Sequence, residues 1–311
     1  MLSILITGGA GFIGYHLQQK LTAKYDVKAI DLLDGNNKFI EHRKKNLNHI
    51  THGDIRLPFL HLIEKKPKVL IHLAAETGIS GSLTNPEKYF DTNVTGTFNV
   101  LEECRKAGVN YIIYASSSSV YEPNQENMPE NAKSEKQLSF YGTTKKMCEV
   151  MIQNYCKQFG MVAIGLRFFT VYGSYTRPDM AAYKFMQAIN TGKPINLYNN
   201  GDVYRDFTHV SDVVNSIELL LEKIQQEPAG LHQIFNIGFG TPISVKDYAS
   251  RIAKSLDKPL FTQFLPLPSN ELSLTHSDTQ LLTHYIKYKP KCDLNSGVLE
   301  MTNWYKTNNY E

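Results

Sequence analysis

Short apolar runs alternate with amphipathic stretches along the first half of this 311-residue chain. The apolar runs are bounded by turn residues and predict strands at 3–7, 27–31, 69–73, 111–115 and 162–168. Helical periodicity predicts helices between them at 11–24, 89–107 and 141–160. Strands and helices that alternate in this way predict a Rossmann-like, doubly wound α/β fold with a parallel sheet.

The pattern changes after Phe168, where glycines and prolines separate shorter elements. We therefore expect a dinucleotide-binding domain over 1–168, with a returning segment around 205–238. Residues 169–311 are expected to form mainly a smaller C-terminal α/β lobe for the substrate. The polar stretch 34–49 predicts a loop that contains at most one helix.

A glycine-rich segment follows the first predicted strand and opens the first predicted helix. Its glycines fit a dinucleotide fingerprint in two ways, as Gly8, Gly11 and Gly14 or as Gly9, Gly11 and Gly14. Asp31 ends the second strand, seventeen residues after Gly14, where a carboxylate can bind the adenosine ribose and repel a 2′-phosphate. The pattern indicates NAD rather than NADP. The competing interpretation makes Asp31 a turn residue at a strand end.

The stretch Tyr141-Gly142-Thr143-Thr144-Lys145 carries candidate chemistry. On a helix, residues four apart share a face, so the Lys145 ammonium can lower the pKa of the Tyr141 phenol. A phenolate is a general base, and a hydroxyl from the run Ser116–Ser119 could orient a substrate alcohol beside it. These residues predict oxidation of a secondary alcohol. Alternatively, Tyr141 and Lys145 are exposed residues of an ordinary helix.

Composition is consistent with a soluble enzyme. The formal charge of +3 is small and its basic residues are scattered, so no nucleic-acid partner is expected. No apolar run is long enough to span a bilayer, and the chain enters a strand at once, which predicts a cytoplasmic protein without a membrane partner. The four cysteines lack zinc-ligand spacing, so no metal site is expected.

Motifs spread over nearly the full length are shared with one enzyme family. They are Thr7–Gly14, Gly53-Asp54, His72–Ala75, Asn93-Val94, Gly96-Thr97, Ala115–Tyr121, Tyr141–Lys145, Leu166–Gly173, Arg177–Met180 and Arg205–Thr208. By these motifs the chain resembles the nucleotide-sugar epimerases of the extended short-chain dehydrogenase/reductase family, most closely the UDP-glucuronate 4-epimerases.

The resemblance implies that tightly bound NAD takes a hydride from C4 of a UDP-sugar while Tyr141 removes the 4-hydroxyl proton. The 4-keto sugar then turns and receives the hydride on its other face. Lys145 is expected to hold the nicotinamide ribose, and the catalytic hydroxyl, three places before Val120, is Ser117. The resemblance also implies a homodimer formed by the helices at 89–107 and 141–160.

Further site residues are carried over from the matching motifs. The expected NAD contacts are Gly8, Gly11, Phe12, Ile13, Gly14, Asp31, Asp54, Ile55, Leu73, Ala74, Ala75, Asn93, Tyr141 and Lys145. The expected substrate contacts are Ser117, Ser118, Thr170, Arg177 and Arg205.

The serine run argues against two related reactions. Sugar 4,6-dehydratases carry an Asp-Glu pair after the catalytic hydroxyl, where this chain has Ser118 and Ser119. UDP-glucuronate decarboxylases typically carry a glutamate at the position of Ser119. The resemblance therefore implies simple epimerisation.

Two arginines are expected to bind the anionic groups of the substrate, and Arg177 indicates which sugar is bound. The family's arginine at the position of Arg177 approaches the substrate carboxylate, and a bidentate pair would supply affinity and orientation. Alternatively, Arg177 pairs with Asp179 in its own loop. Arg205 matches an arginine that contacts the UDP diphosphate, and its competing interpretation is a salt bridge to Asp206.

Three departures from the glucuronate epimerase pattern keep a second substrate open. Ser80 replaces an arginine, Glu122 replaces a glycine, and 268–278 lacks a proline-glycine-aspartate turn. The alternative substrate is a neutral UDP-hexose or UDP-N-acetylhexosamine. A different alternative is a non-catalytic NAD-binding regulator, although such proteins commonly lose the tyrosine or the lysine.

Overall fold

The chain divides into two compact units in the computed structural model, which describes residues 1–33, 43, 47, 50–123 and 125–308. The first unit contains Met1–Glu122, Ala132–Phe168 and Val214–Phe235, and the second contains Pro123–Asn131, Phe169–Val213 and Asn236–Glu311. The predicted loop at 34–49 lies outside the described residues, apart from Arg43 and Leu47.

The strands and helices lie as follows. The strands are β1 (Ser3–Thr7), β2 (Asp26–Asp31), β3 (Ile50–His52), β4 (Val69–His72), β5 (Tyr111–Ser117), β6 (Val162–Phe168), β7 (Thr170–Tyr172), β8 (Ile195–Tyr198), β9 (Tyr204–His209), β10 (His232–Ile237), β11 (Pro242–Ser244) and β12 (Thr262–Leu265). The α-helices are α1 (Phe12–Leu21), α2 (Ile79–Thr84), α3 (Pro86–Tyr89), α4 (Gly96–Ala107), α5 (Phe140–Phe159), α6 (Ala181–Asn190), α7 (Val210–Ile224), α8 (Val245–Leu256), α9 (Gln280–Ile286) and α10 (Leu294–Thr307).

A seven-stranded sheet in the order β10-β6-β5-β4-β1-β2-β3 organises the first unit. The pairings run parallel, and β1 in its interior is buried throughout because both of its faces are covered. The predicted doubly wound α/β fold is confirmed. The strands end at one edge of the sheet, so Thr7, Asp31, His72 and Ser117 all lie there.

Helices α4 and α5 pack against this sheet. Leu101 and Cys104 of α4 share a buried cluster with Ile152 and Cys156 of α5 and with strand residues such as Ile112. The apolar face of α5 therefore lies in the core, which fixes the direction in which its first turn meets the end of β5.

The helix predicted at 89–107 is confirmed as a helical segment, but it is not a regular α-helix throughout. The segment contains the end of α3, a π-helical stretch at Phe90–Thr95, and α4. The π-helical turn allows buried Asn93 to hydrogen-bond Glu76 and Thr144, and Gly96 packs against Ile55, whose Cδ1 would lie 2.7 Å from a Cβ at that position. The π-helical stretch changes the hydrogen-bond pattern without interrupting the helix.

The second unit has two small sheets. In one, β9 pairs antiparallel with β11 and parallel with β7; in the other, β8 pairs parallel with β12. The rings of Phe207 and Tyr248 stack with centroids 4.1 Å apart and join the sheet of β7, β9 and β11 to α8. Among the helices that the structure describes, none is long and apolar enough to cross a membrane.

Candidate active site

Helix α5 places Tyr141 and Lys145 on successive turns at its start. Ser139 caps the helix, since its Oγ accepts the Gly142 N–H at 3.1 Å. The Lys145 side chain is buried, and its Nζ donates to the Ala115 carbonyl of β5 at 3.0 Å. Lys145 is therefore fixed between the helix and the sheet rather than exposed, which excludes the ordinary-helix interpretation for this side chain.

Gly142 brings the start of α5 against the serine turn after β5. A Cβ at this position would lie 2.2 Å from the Ser119 carbonyl oxygen, so any larger residue would push the helix away. Sequence reasoning assigned no role to this glycine. Its signal was its place directly after Tyr141, where a helix interior otherwise disfavours glycine.

The serine run divides into residues with different contacts. Ser117 ends β5 and is buried, and its Oγ accepts the Ser119 N–H at 3.1 Å, so its hydroxyl proton can be donated elsewhere. Ser116 instead donates to buried Glu149 at 2.6 Å. Ser118 and Ser119 are half-buried in the turn. Ser117 therefore keeps a hydroxyl proton to donate, whereas Ser116 donates its own to Glu149 and links β5 to α5.

The glycine-rich segment passes very close to neighbouring backbone. Gly8 has φ +75° and a Cβ there would lie 2.6 Å from the Ala74 nitrogen, while a Cβ at Gly14 would lie 2.2 Å from the Gly8 oxygen. A Cβ at Gly9 would also clash, at 2.5 Å from the Ala29 Cβ. The contacts constrain Gly8, Gly9 and Gly14 alike, so both proposed glycine spacings have a structural reason.

Asp31 supports the glycine segment from the end of β2. Its Oδ2 accepts the Ala10 N–H at 2.9 Å. Burial raises the pKa of this carboxyl, and backbone N–H groups of Leu33 and Ala10 oppose the rise. Arg43, from the stretch predicted as a loop, donates from Nη1 to the Ala10 carbonyl at 2.7 Å and was missed by sequence reasoning.

His72 is a buried connector below the edge of the sheet. Its Nδ1 lies 2.7 Å from the Thr7 Oγ1 and its Nε2 lies 3.0 Å from the Thr97 Oγ1. Burial, with a smaller contribution from the Lys145 charge, lowers the pKa of His72 to about 3. The ring is therefore neutral at pH 7 and ties β1, β4 and α4 together.

The segment after β4 is held by backbone and amide contacts. Leu73 donates its N–H to Thr7, and the Ala74 N–H lies 3.4 Å from the Thr7 Oγ1, with half-buried Ala75 following. The Asn93 amide donates to Glu76 O and Thr144 Oγ1 and accepts the Glu76 N–H. Asn93 thus holds this segment against α5.

Asp54 and Ile55 follow β3. The Asp54 carboxylate forms a two-oxygen pair with Arg56, which lowers the pKa of that carboxyl. Ile55 is buried in the core cluster. At the start of α1, Phe12 and Gly14 are buried and Ile13 is half-buried.

In the second unit, Arg177 pairs with a carboxylate of its own loop. Its Nε and Nη2 donate to the two Asp179 oxygens at 3.0 and 3.1 Å. This is the contact that the competing interpretation of Arg177 anticipated. Thr170 begins β7 and is half-buried, opposite Phe207 of β9.

Arg205 pairs with Glu271, and the alternative salt bridge to Asp206 is wrong. The Arg205 Nη2 donates to Glu271 Oε2 at 2.9 Å; burial lowers the pKa of the guanidinium, and Glu271 opposes this. Asp206 is fully buried and instead accepts the N–H groups of Phe239, Gly240 and Ser277. Alternation along β9 sends neighbouring side chains to opposite faces, which separates Arg205 from Asp206.

The structure places all three departures from the glucuronate epimerase pattern. Glu122 accepts the Glu135 N–H at 3.1 Å, and Ser80 lies exposed in α2. The third departure, at 268–278, contains the Glu271 that pairs with Arg205. No group of three or more His, Cys, Asp or Glu side chains that could hold a metal ion occurs within the described part of the chain.

The parallel sheet, the glycine-rich turn into α1 and the Tyr-Lys pair beside a serine define the class of Rossmann-fold short-chain dehydrogenases/reductases. Residues 4–238 match the model of the NAD dependent epimerase/dehydratase family. The chain therefore belongs to this family of NAD-dependent enzymes.

Individual relatives are similar over nearly the whole chain. UDP-glucuronate 4-epimerase 1 of Arabidopsis thaliana is 32% identical over 333 residues, which cover 98% of this chain and 76% of the relative. The structure of UDP-glucuronic acid 4-epimerase from Bacillus cereus, in complex with UDP-glucuronic acid and NAD, has a TM-score of 0.91 and 29% identity, covering 98% of this chain and 99% of that one. MoeE5 in complex with UDP-glucose and NAD has a TM-score of 0.88 and 30% identity, with the same coverage.

Proposed function

We propose that the protein is a UDP-sugar 4-epimerase that uses bound NAD to interconvert UDP-glucuronate and UDP-galacturonate through a 4-keto intermediate. The arrangement that carries this proposal is the start of α5, where Tyr141 precedes a buried Lys145 bound to the strand that ends in Ser117. The similarity to UDP-glucuronate 4-epimerases supports the choice of sugar.

The residues of the first unit fit NAD. Helix α1 begins at Gly11 with no capping side chain among the described residues and no acid in its first turn, so its N–H groups and dipole would attract a pyrophosphate. Asp31 would bind the adenosine ribose through Oδ1, which does not bond Ala10 and accepts the Leu33 N–H at 3.4 Å. When bound, NAD accepts a hydride from C4 of the sugar and later returns it.

The proton chemistry falls to three side chains. Tyr141 would accept the proton of the sugar 4-hydroxyl and return it after the keto sugar has turned. Lys145 uses one N–H on Ala115, which leaves two for Tyr141 and the nicotinamide ribose. The Ser117 oxygen already accepts the Ser119 N–H, so its hydroxyl would donate a proton to the sugar 4-oxygen. This hydrogen bond would orient the 4-hydroxyl toward Tyr141.

The second unit would recognise the anionic groups of the substrate. Arg177 would bind the glucuronate carboxylate beside Thr170, and Arg205 would bind the diphosphate. The 4-keto intermediate of a glucuronate is a β-keto acid, which loses carbon dioxide when its carboxylate bond aligns with the carbonyl π system. A bidentate guanidinium that holds the carboxylate out of this alignment would protect the intermediate.

A neutral UDP-hexose is the second candidate substrate. It is favoured by Ser80, which stands where the glucuronate epimerases usually carry an arginine. A UDP-N-acetylhexosamine belongs to the same alternative.

We also propose a homodimer in the cytoplasm. Helices α4 and α5 expose Phe98, Met147, Val150 and Phe159 to solvent, and a helix pair formed with a second copy would bury them. Sedimentation should show a dimer that Val150→Lys weakens. A monomer at all concentrations would contradict this part of the proposal.

The decisive experiment incubates the purified protein with UDP-glucuronate, UDP-glucose and UDP-N-acetylglucosamine and separates the products by chromatography. We expect UDP-galacturonate from UDP-glucuronate without added oxidant. Turnover of a neutral sugar alone would replace the substrate assignment. Bound NAD with no turnover of any UDP-sugar would favour the regulator.

A further inference from the structure

We propose that the buried ion pair of Glu149 and Arg167 positions Tyr141 relative to Ser117 and balances the charge beside Lys145. This inference rests on the proposed function, since it concerns the same proton transfer. Neither residue is expected to touch substrate or cofactor. Both would act through their neighbours.

The pair is closely bound and shielded from water. Arg167 donates from Nε and Nη2 to the two Glu149 oxygens at 2.8 and 2.9 Å, and both side chains are only 3% exposed. The guanidinium carbon lies 4.7 Å from the centre of the Tyr121 ring. Such a pair costs desolvation energy, so stability alone is a weak reason for it.

Its hydrogen bonds connect the elements that carry the reacting groups. Glu149 lies on α5 two turns after Tyr141, and it accepts the Ser116 hydroxyl at 2.6 Å, directly before Ser117. Arg167 lies on β6 opposite Ser116 in the parallel register. The pair therefore crosslinks the base helix to the strand that ends in the catalytic serine.

Three successive turns of α5 are attached to the end of β5 in this way. Gly142 packs on the Ser119 carbonyl, Lys145 donates to Ala115, and Glu149 accepts from Ser116. The first two contacts fix the helix near Tyr141, and the third prevents it from pivoting. Tyr141 and Ser117 are thus held on one rigid frame.

Glu149 and Arg167 are both needed because each compensates the buried charge of the other. Burial alone would raise the pKa of Glu149, but Arg167 and Ser116 hold it below its ordinary value. A further charged neighbour is Lys146, whose Nζ lies 3.6 Å from Glu149 Oε2. Other titratable neighbours are neutral at pH 7. Burial raises the pKa of Cys148 and Tyr114 and lowers that of His232 to about 4. The Tyr121 ring faces the guanidinium.

Glu149→Gln tests charge and position together. It keeps the shape of the side chain but leaves Arg167 as an uncompensated positive charge, because a guanidinium does not lose its proton. Because a positive charge stabilises the phenolate, the titration midpoint of the phenol should fall in this variant. The double variant Glu149→Gln/Arg167→Met removes both charges and should return the midpoint to that of the wild type.

The midpoint is measured without substrate, as the tyrosinate absorbance of each protein minus that of its Tyr141→Phe counterpart. If the substitutions act only through lost packing, the midpoint should change equally in both variants or in neither. Either result would overturn the charge role. Absence of UDP-sugar turnover by the wild type would overturn the proposed function instead, and the titration would still decide the charge coupling.

Ser116→Ala tests the crosslink without altering charge or risking the fold. We expect kcat to fall about fivefold, with KM and the titration midpoint unchanged, because one hydrogen bond of roughly 1 kcal/mol is lost from the frame. Glu218→Gln, which disrupts an ion pair between α7 and the exposed Lys24 elsewhere in the first unit, should leave both readings unchanged. An unchanged kcat in Ser116→Ala and Glu149→Gln would overturn the positioning role.

Discussion

The two units hold their candidate functional side chains in different ways. In the first unit, Lys145, Ser117 and Asn93 are buried and bound to backbone or to neutral neighbours. In the second unit, Arg177 and Arg205 each pair with a carboxylate of the same unit. The side chains of the first unit are therefore preorganised, whereas each arginine of the second unit already forms an ion pair with a carboxylate.

This difference has a chemical reason. Proton and hydride transfer require reacting atoms held within a few tenths of an ångström, so the catalytic groups need rigid neighbours. A guanidinium that binds an anion needs a negative partner also in the absence of ligand, particularly when it is partly desolvated. Asp179 and Glu271 would serve as these partners until the substrate replaces them.

The largest expected effect comes from Tyr141→Phe in the preorganised unit. Loss of the general base should lower kcat by about 10² to 10⁴, while NAD remains bound because the ring still fills its place. Turnover is measured with UDP-glucuronate, and NAD is released by denaturation and quantified. Full activity in this variant would contradict the proposed mechanism.

Tyr155→Phe is the matched control for that variant. Tyr155 lies on the same helix, and its hydroxyl donates to Glu102 on α4 at 2.9 Å. Its removal should leave turnover unchanged. A comparable loss there would mean that helix stability, rather than a base, explains the result at Tyr141.

Arg177→Ala should give the next largest effect and distinguishes the two candidate substrates. Leaving a bound carboxylate unpaired costs on the order of 2–5 kcal/mol, so activity on UDP-glucuronate should fall at least roughly thirtyfold. A neutral UDP-hexose should be far less affected. Release of a 4-keto pentose would support the role in preventing decarboxylation.

Asp179→Asn is the companion change for Arg177. If Asp179 only occupies the guanidinium until substrate binds, its neutral analogue should keep activity on UDP-glucuronate. If Arg177 merely braces its loop through Asp179, both variants should lower activity on acidic and neutral sugars alike.

The first unit was far more predictable from the sequence than the second. Five of the seven strands in its sheet follow apolar runs, whereas β3 and β10 were not predicted. Gly8, Gly14 and Tyr141 stand in local patterns that one backbone geometry explains. The π-helical turn before Gly96 was not predictable, because it depends on Asn93 meeting residues distant in sequence.

In the second unit, local spacing gave incomplete information about the arginines. The Arg177 pair joins residues two positions apart and was anticipated as an alternative. The alternative considered for Arg205 was a pair with its sequence neighbour Asp206. The strand turns Asp206 to the other face, and the partner is Glu271, 66 positions later in the sequence. A partner that the fold brings in from such a distance leaves no local pattern.

A pH experiment compares buried His72 with an exposed histidine of the same unit. The folded pKa is about 3 and the unfolded value about 6.5, so below pH 6.5 only the unfolded chain gains the proton. The free energy of unfolding should therefore fall by about 1.4 kcal/mol per pH unit as the pH drops from about 6.5 toward 3. His72→Asn should reduce this slope in urea unfolding between pH 7 and 5, whereas exposed His61→Asn should not; equal slopes would contradict the neutral His72.

The smallest expected effect comes from Glu271→Gln and tests whether the carboxylate competes with the diphosphate. The change removes a negative charge from the immediate surroundings of Arg205 while keeping a hydrogen-bond acceptor at its 2.9 Å position. If a diphosphate must replace Glu271, UDP should bind about three- to tenfold more tightly to the variant. In the wild type, binding must first separate the partly exposed ion pair of Arg205 and Glu271, and the variant lacks this pair. Uridine, which carries no phosphate, should bind both proteins equally in calorimetry, and added salt should narrow the difference for UDP. Weaker binding of UDP with unchanged uridine would instead mean that Glu271 holds Arg205 in its binding orientation, and the second unit would then be as preorganised as the first.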